Sequence, residues 1–302
     1  MSNSNLSWNR QTGIAVDPQM SVDDMVKAAG LDWTVELSEH RYGHFQEHSS
    51  GRFDAYRSTD GMYIDQYTSR KTVQNRDMVT MFDSILKSLG MSISTLGSIN
   101  EGKRLYASVD LPADMDIKPG VGDITKAKLM LLDSHLNGEG LQIMLYLDRL
   151  ICTNGMTTKL SQKVGVIQHN GKIDTSVIRP VINEAIRMIQ FKRHSADLLV
   201  QKQMAVDEAT VQLIAAFGDP SKEVYDQPEV VKSSLRLFQG QAMGSDLQTS
   251  FNTAWGLLQA VTQYYNWESK AQSEANRFSS LLIGEQGKKQ NKFERQLVGC
   301  SV

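Results

Sequence analysis

Apolar positions recur along the chain with two different periods, and the switch between them divides it. From Leu31 to His169 the runs are short: Trp33-Thr34-Val35-Glu36-Leu37 and Phe53-Asp54-Ala55-Tyr56 alternate as half-buried strands do. Gly61 precedes Met62-Tyr63-Ile64, which predicts a hairpin turning around Thr59-Asp60-Gly61. One helix interrupts the strands. Met78, Val79, Phe82, Ile85, Leu86 and Leu89 form a stripe at helical spacing, with Asn75 as a cap and Gly90 as a stop. A second hairpin, Ser92 to Ile99 with Lys103 to Leu111, turns at Asn100-Glu101-Gly102, and Asp114 to Asp123 reads as a loop. Ala127 to Leu132 and Leu141 to Cys152 are strongly apolar runs, the pattern of central strands buried on both faces. Asn154-Gly155 predicts a turn leading into Lys163 to His169.

After Asn170-Gly171 the period becomes helical. Val177, Val181, Ile182, Ile186 and Ile189 open a long helix, with Pro180 confined to its first turn. Further helices are expected over Asp207 to Phe217, Pro228 to Phe238, Leu247 to Trp267, Ser269 to Ile283 and Gln290 to Val298. Near the start, Ser21 with Asp23 and Asp24 marks a short helix ended by Gly30. Strands in front and helices behind, without alternation, predict an α+β fold with a mainly antiparallel sheet. The expected organisation is a flexible arm over residues 1–20, a strand-rich region over 21–170 and a helical region over 171–302 packed on the sheet, as one continuous domain.

Composition narrows this little. Of 302 residues, 40% are hydrophobic and 22% charged, which predicts a globular chain with a sizeable core. The net charge of −2 excludes a wholesale basic coat protein but leaves room for a local basic groove. Cys152 and Cys300 make no disulfide framework and suit a reducing compartment. The polar Met1 to Gln11 stretch has no signal-peptide core, and Asp148 and Arg149 break the best apolar run, so a soluble cytoplasmic protein is expected.

Candidate chemistry is sparse. His40, His44 and His48 are spaced as metal ligands on a helix would be, but Gly43 sits among them and no acidic zinc motif accompanies them; no metal is expected. Cys152 with His135 or His169 could form a nucleophile pair, although a cysteine ending an apolar strand is ordinarily inert. Gly284-Glu285-Gln286-Gly287-Lys288-Lys289 lacks the spacing and the Ser or Thr of a nucleotide-binding phosphate loop, yet it sets two ammonium groups at a helix start. Thr158 to Met204 is the charge asymmetry: eight basic residues against three acidic ones, either a phosphate-tracking groove or a solvated helix face. Trp255, Tyr264, Tyr265 and Trp267 cluster near the end of one helix. Trp255 falls at core spacing and core is the reading for most of the four, with exposure of Tyr265 and Trp267 for base stacking as the alternative.

Four stretches carry a family resemblance: Trp33-Thr34-Val35-Glu36 with Tyr56-Arg57-Ser58; Tyr67 to Asn75, with its Val73-Gln74-Asn75 helix start; Gly97-Ser98-Ile99 and Gly102-Lys103-Arg104 continuing to Asp148-Arg149 and the Cys152-Thr153-Asn154 turn; and Thr253 to Tyr265 continuing to Asn276-Arg277-Phe278 and Gly284 to Lys289. In order and spacing the chain resembles the phage/plasmid-like domain-of-unknown-function family DUF 932. One departure is Asn266-Trp267, where many relatives carry a histidine. The resemblance implies a phage or plasmid setting and a distant relation to phage single-strand annealing proteins.

The expectation is a non-enzymatic, homo-oligomeric protein without a cofactor that binds and anneals single-stranded DNA in recombination or replication. Its phosphate contacts would be Arg70, Lys71, Arg104, Arg149, Lys159, Lys163, Arg187, Lys192, Arg193, Lys288 and Lys289. The alternative is a protein-interaction or counter-defence factor acting on a host protein through the acidic stretch Asp207 to Glu229.

Overall fold

A computed structural model describes residues 13–150, 157–167 and 178–299, with side chains described for all of these except 150, 157–167, 178 and 179. The fold is α+β. Among the described residues, the larger sheet has seven strands: β1 (Gly13–Ala15), β5 (Thr95–Ile99), β6 (Arg104–Asp110), β7 (Ile117–Gly120), β8 (Asp123–Ser134), β9 (Leu141–Leu150) and β10 (Thr157–Ile167). Its spatial order is β1-β5-β6-β8-β9-β10, with β7 on β8 and every pairing antiparallel. A second sheet holds β2 (Val35–Tyr42), β3 (His48–Arg57) and β4 (Tyr63–Tyr67), also antiparallel.

The helices are α1 (Val22–Ala28) and α2 (Asn75–Lys87), then α3 (Ile178–Gln201), α4 (Val206–Phe217), α5 (Glu229–Arg236), α6 (Ala254–Gln263), α7 (Glu274–Leu282) and α8 (Glu285–Val298). The α2 stripe is buried as its periodicity predicts, with Met78, Val79, Phe82 and Leu86 fully enclosed. Strand β8 alternates buried and exposed positions at its start and is buried on both faces from Leu129 on, because only its second half lies between covered faces. The large core joins this sheet to α1 through α8, and each of its enclosed rings Tyr106, Tyr146, Phe82, Phe278 and Phe293 contributes about 1.5–3 kcal/mol by leaving water.

Several boundaries differ from the sequence pattern. Gly13–Ala15, expected in the flexible arm, pairs with β5. The close contact explains the glycine: a Cβ at Gly13 would stand 2.4 Å from the Tyr106 hydroxyl. The expected loop from Asp114 to Asp123 contains β7, and Gly122, at φ +78°, turns it into β8. Asn75 begins α2 without capping it; its side chain turns inward instead. Helix α6 starts at the Thr253 cap, not at Leu247, and ends in a wide π-helical turn, Tyr264–Glu268.

The smaller sheet has its own core of Trp33, Val35, Ala55, Ile64 and Tyr67. Buried polar groups join it to the larger body. The Asn75 amide donates to the carbonyls of Leu31 (2.9 Å) and Trp33 (3.1 Å), while its Oδ1 meets His135 Nε2 at 2.6 Å. The Tyr67 hydroxyl donates to the His135 carbonyl at 2.5 Å. Beyond Phe53, which pairs with Tyr67, β4 no longer accompanies β3, and residues 41–52 form a ribbon exposed at every position.

Candidate functional site

The expected phosphate contacts separate into spent and available cations. Arg149 is spent. It lies directly opposite Thr125 in the β8–β9 ladder, so Asp123 is its diagonal neighbour on the same face. The guanidinium grips that carboxylate with Nε to Oδ1 at 2.6 Å and Nη2 to Oδ2 at 2.7 Å, at 2% and 0% side-chain exposure. Thr249 Oγ1 (2.7 Å) and Trp255 Nε1 (2.9 Å) also donate to Asp123, and Arg149 Nη2 donates to Ser250 Oγ at 2.9 Å. Burial pushes the Asp123 pKa up, but Arg149, Thr249 and Trp255 outweigh it and hold the carboxyl below its usual value. Trp255 is core, as its spacing predicts.

Lys192 is spent as well, in a buried pair with Glu294 and a 3.3 Å bond to Asn291 Oδ1. Arg193 donates to the Asp114 and Asp116 carbonyls, bracing the chain ahead of β7. Arg104 forms a two-point pair with Glu139 at 2.8 and 2.5 Å. A charge held by a buried carboxylate has little left for a phosphate, so Arg149 and Lys192 are corrected from surface contacts to internal anchors. Between them lies a small, partly open cavity of about 30 Å³ between the sheet and α3, α6 and α8, walled by Ile117, Leu147, Trp255 and Leu258.

Other cations face solvent. Arg70 lies over the Phe53 ring at 5.0 Å, and Lys71 is exposed beside it. Arg187 is exposed and pairs with Glu184 at 3.0 Å. Lys159 and Lys163 fall on β10, and their side chains lie outside the described residues. Helix α8 is the densest row: Lys288, Lys289, Lys292 and Arg295 are all exposed. Lys288 pairs with Glu285 at 2.8 Å, whereas Lys289, Lys292 and Arg295 have no ion pair among the described residues. Lys292 and Arg295 were missed in the sequence, although their i+4 and i+7 spacing from Lys288 was the available signal. The helix begins where Gly284 passes so close to Ser280 that a Cβ would lie 2.8 Å from that residue's Cα.

The histidine pattern does not form a helical face. His40 on β2 bonds Asp54 at 2.7 Å, His44 sits in the turn, and His48 on β3 packs on Tyr42. The described residues contain no group of three His, Cys, Asp or Glu side chains placed to hold a metal ion. Cys152 and His169 lie outside the described residues. His135 is buried against Trp33, and burial lowers its pKa to about 4. Tyr265 is not at the surface: it packs on Phe217 and Tyr264, and burial raises its pKa to about 12. Trp267 is partly exposed. No described helix is long and apolar enough to cross a membrane.

No curated protein and no solved structure matches the chain. The family described as Domain of unknown function (DUF932) matches residues 65–282, from β4 through α7, a span that contains the Asp123–Arg149–Trp255 cluster, and the chain belongs to that family.

Proposed function

We propose that the protein is a non-enzymatic binder of single-stranded DNA that acts as a homo-oligomer and anneals complementary strands in phage or plasmid recombination or replication. The observation that carries this reading is the outer face of α8, with four basic side chains against Glu285, three of the four without an ion pair among the described residues. Such a row neutralises successive phosphates and releases their counterions. Arg70 and Lys71 add a second cationic point at the end of β4. Holding and annealing strands needs no nucleophile or metal, only cations and ring faces.

The test is fluorescence anisotropy of a labelled oligo(dT) against salt. Binding should be measurable at low salt and weaken as salt rises. The triple variant Lys289→Glu, Lys292→Glu, Arg295→Glu should bind at least about tenfold more weakly, with a log–log salt slope shallower by roughly 2, from about 0.7 per lost phosphate contact. No binding at low salt, together with a pull-down that returns one stoichiometric host protein, would replace this reading with the protein-interaction one.

A further inference from the structure

We infer that the β2–β3 ribbon is an arm whose tip stacks on the unpaired bases of a bound single strand. This rests on the nucleic-acid reading above and assigns the base-contacting part of it. Residues 41–52 are exposed on both faces, with no third strand beyond Phe53 among the described residues. At strand rise the ribbon reaches on the order of 15 Å into solvent. Two-stranded ribbons without a covering layer are marginal in water, so this one gains nothing for the core.

What the ribbon displays is specific. Phe45 at the turn is 85% exposed and Tyr42 is 55% exposed. Tyr42 packs tilted on His48 with ring centroids 5.4 Å apart, and His44 meets Phe45 edge-on at 4.8 Å. These contacts order the rings while leaving faces free. Arg41 and Arg52 flank them, and Ser49, Ser50 and Gly51 complete the segment. The one carboxylate, Glu47, is exposed but held within the tip: it accepts from Phe45 N at 2.8 Å and lies 3.8 Å from His48. Gly43, at φ +103°, allows the chain to reverse over that carboxylate.

The chemistry selects the occupant. Rings, guanidinium groups and hydroxyls, with no aliphatic side chain, form the set that stacks bases and contacts a backbone. An arm built to pair with a second copy or to enter a protein groove would bury aliphatic side chains, and between Arg41 and Arg52 there are none. Paired bases hide their faces in the duplex, so ring stacking favours single strands.

The experiment pairs two variants with wild type. In Tyr42→Ser/Phe45→Ser, affinity for oligo(dT) should fall about tenfold or more, with an unchanged melting temperature because neither ring touches the core. In Phe45→Trp, affinity should be retained and tryptophan emission should be quenched as oligo(dT) saturates. Unchanged affinity in the serine variant, or no quenching in the tryptophan variant, overturns the arm while leaving DNA binding intact. A serine variant altered in oligomeric state but not in affinity overturns it in favour of pairing between copies. Failure of wild type to bind removes the nucleic-acid reading itself, and the arm with it.

Discussion

His135 shows how one buried side chain makes the fold sensitive to acid. Its ring is enclosed by Trp33 and bonded to Asn75, so a proton on it would be stripped of water; burial lowers the pKa from 6.5 to about 4 against the opposing pull of Asp133. The unfolded chain binds this proton between those two values and the folded chain refuses it. Stability is therefore full above about pH 6.5 and is lost as pH falls toward 4, by about 3 kcal/mol. Urea midpoints between pH 7 and 4.5 should fall less steeply in His135→Gln than in wild type. Parallel profiles would show that this ring carries no such penalty. Asp123 acts in a lower window: its depressed pKa contributes stability above the ordinary carboxylate range that disappears only as strong acid protonates it.

At the scale of elements, much was legible in the sequence, because period and turn chemistry are local. The α2 stripe, the hairpins around Gly61 and Gly102 and the double burial of β8 all follow from neighbouring residues. The start of α6 does not. Residues 247–252 are apolar and polar in a helix-like order, yet a helix there is precluded by the way the chain folds back over Gly256, where a Cβ would lie 1.9 Å from the Ser250 carbonyl oxygen. The fate of Arg149 was equally hidden. A cation at a strand end reads as a surface contact until β8 brings Asp123 diagonally opposite and Ser250 closes over it from 101 positions away. These two illegible features meet at Ser250. Gly256→Ala should thus be destabilising by about 1–3 kcal/mol from overpacking, although alanine favours a helix by about 1 kcal/mol. A urea midpoint equal to or above wild type would mean that the Ser250 backbone yields freely.

For the whole molecule, the question is how two sheets with separate cores behave as one body. The family span begins inside β4, so β2 and β3, with the ribbon, lie ahead of it and depend on β4 and the start of α2 for their place. The polar junction supplies that dependence. Asn75 ties the chain entering β2 to α2 through the Leu31 and Trp33 carbonyls and also holds His135 at the end of β8, while Tyr67 reaches the same histidine's backbone from β4. These are buried groups with fixed partners, and deleting one side leaves the others unsatisfied. Asn75→Ala leaves two carbonyls and an imidazole N–H short of a partner, a loss of about 2–4 kcal/mol. The loss should not fall evenly. Native-state hydrogen exchange should show the β2–β4 amides opening together at low denaturant in the variant while β8 and β9 keep their protection, because the large core retains every apolar contact of its own. In wild type, the buried amides of β4 should open close to the global transition. Uniform loss of protection across both sheets in Asn75→Ala would place the coupling in the apolar contacts rather than in the junction, and an early opening of β4 in wild type would show that the small sheet was never held by it.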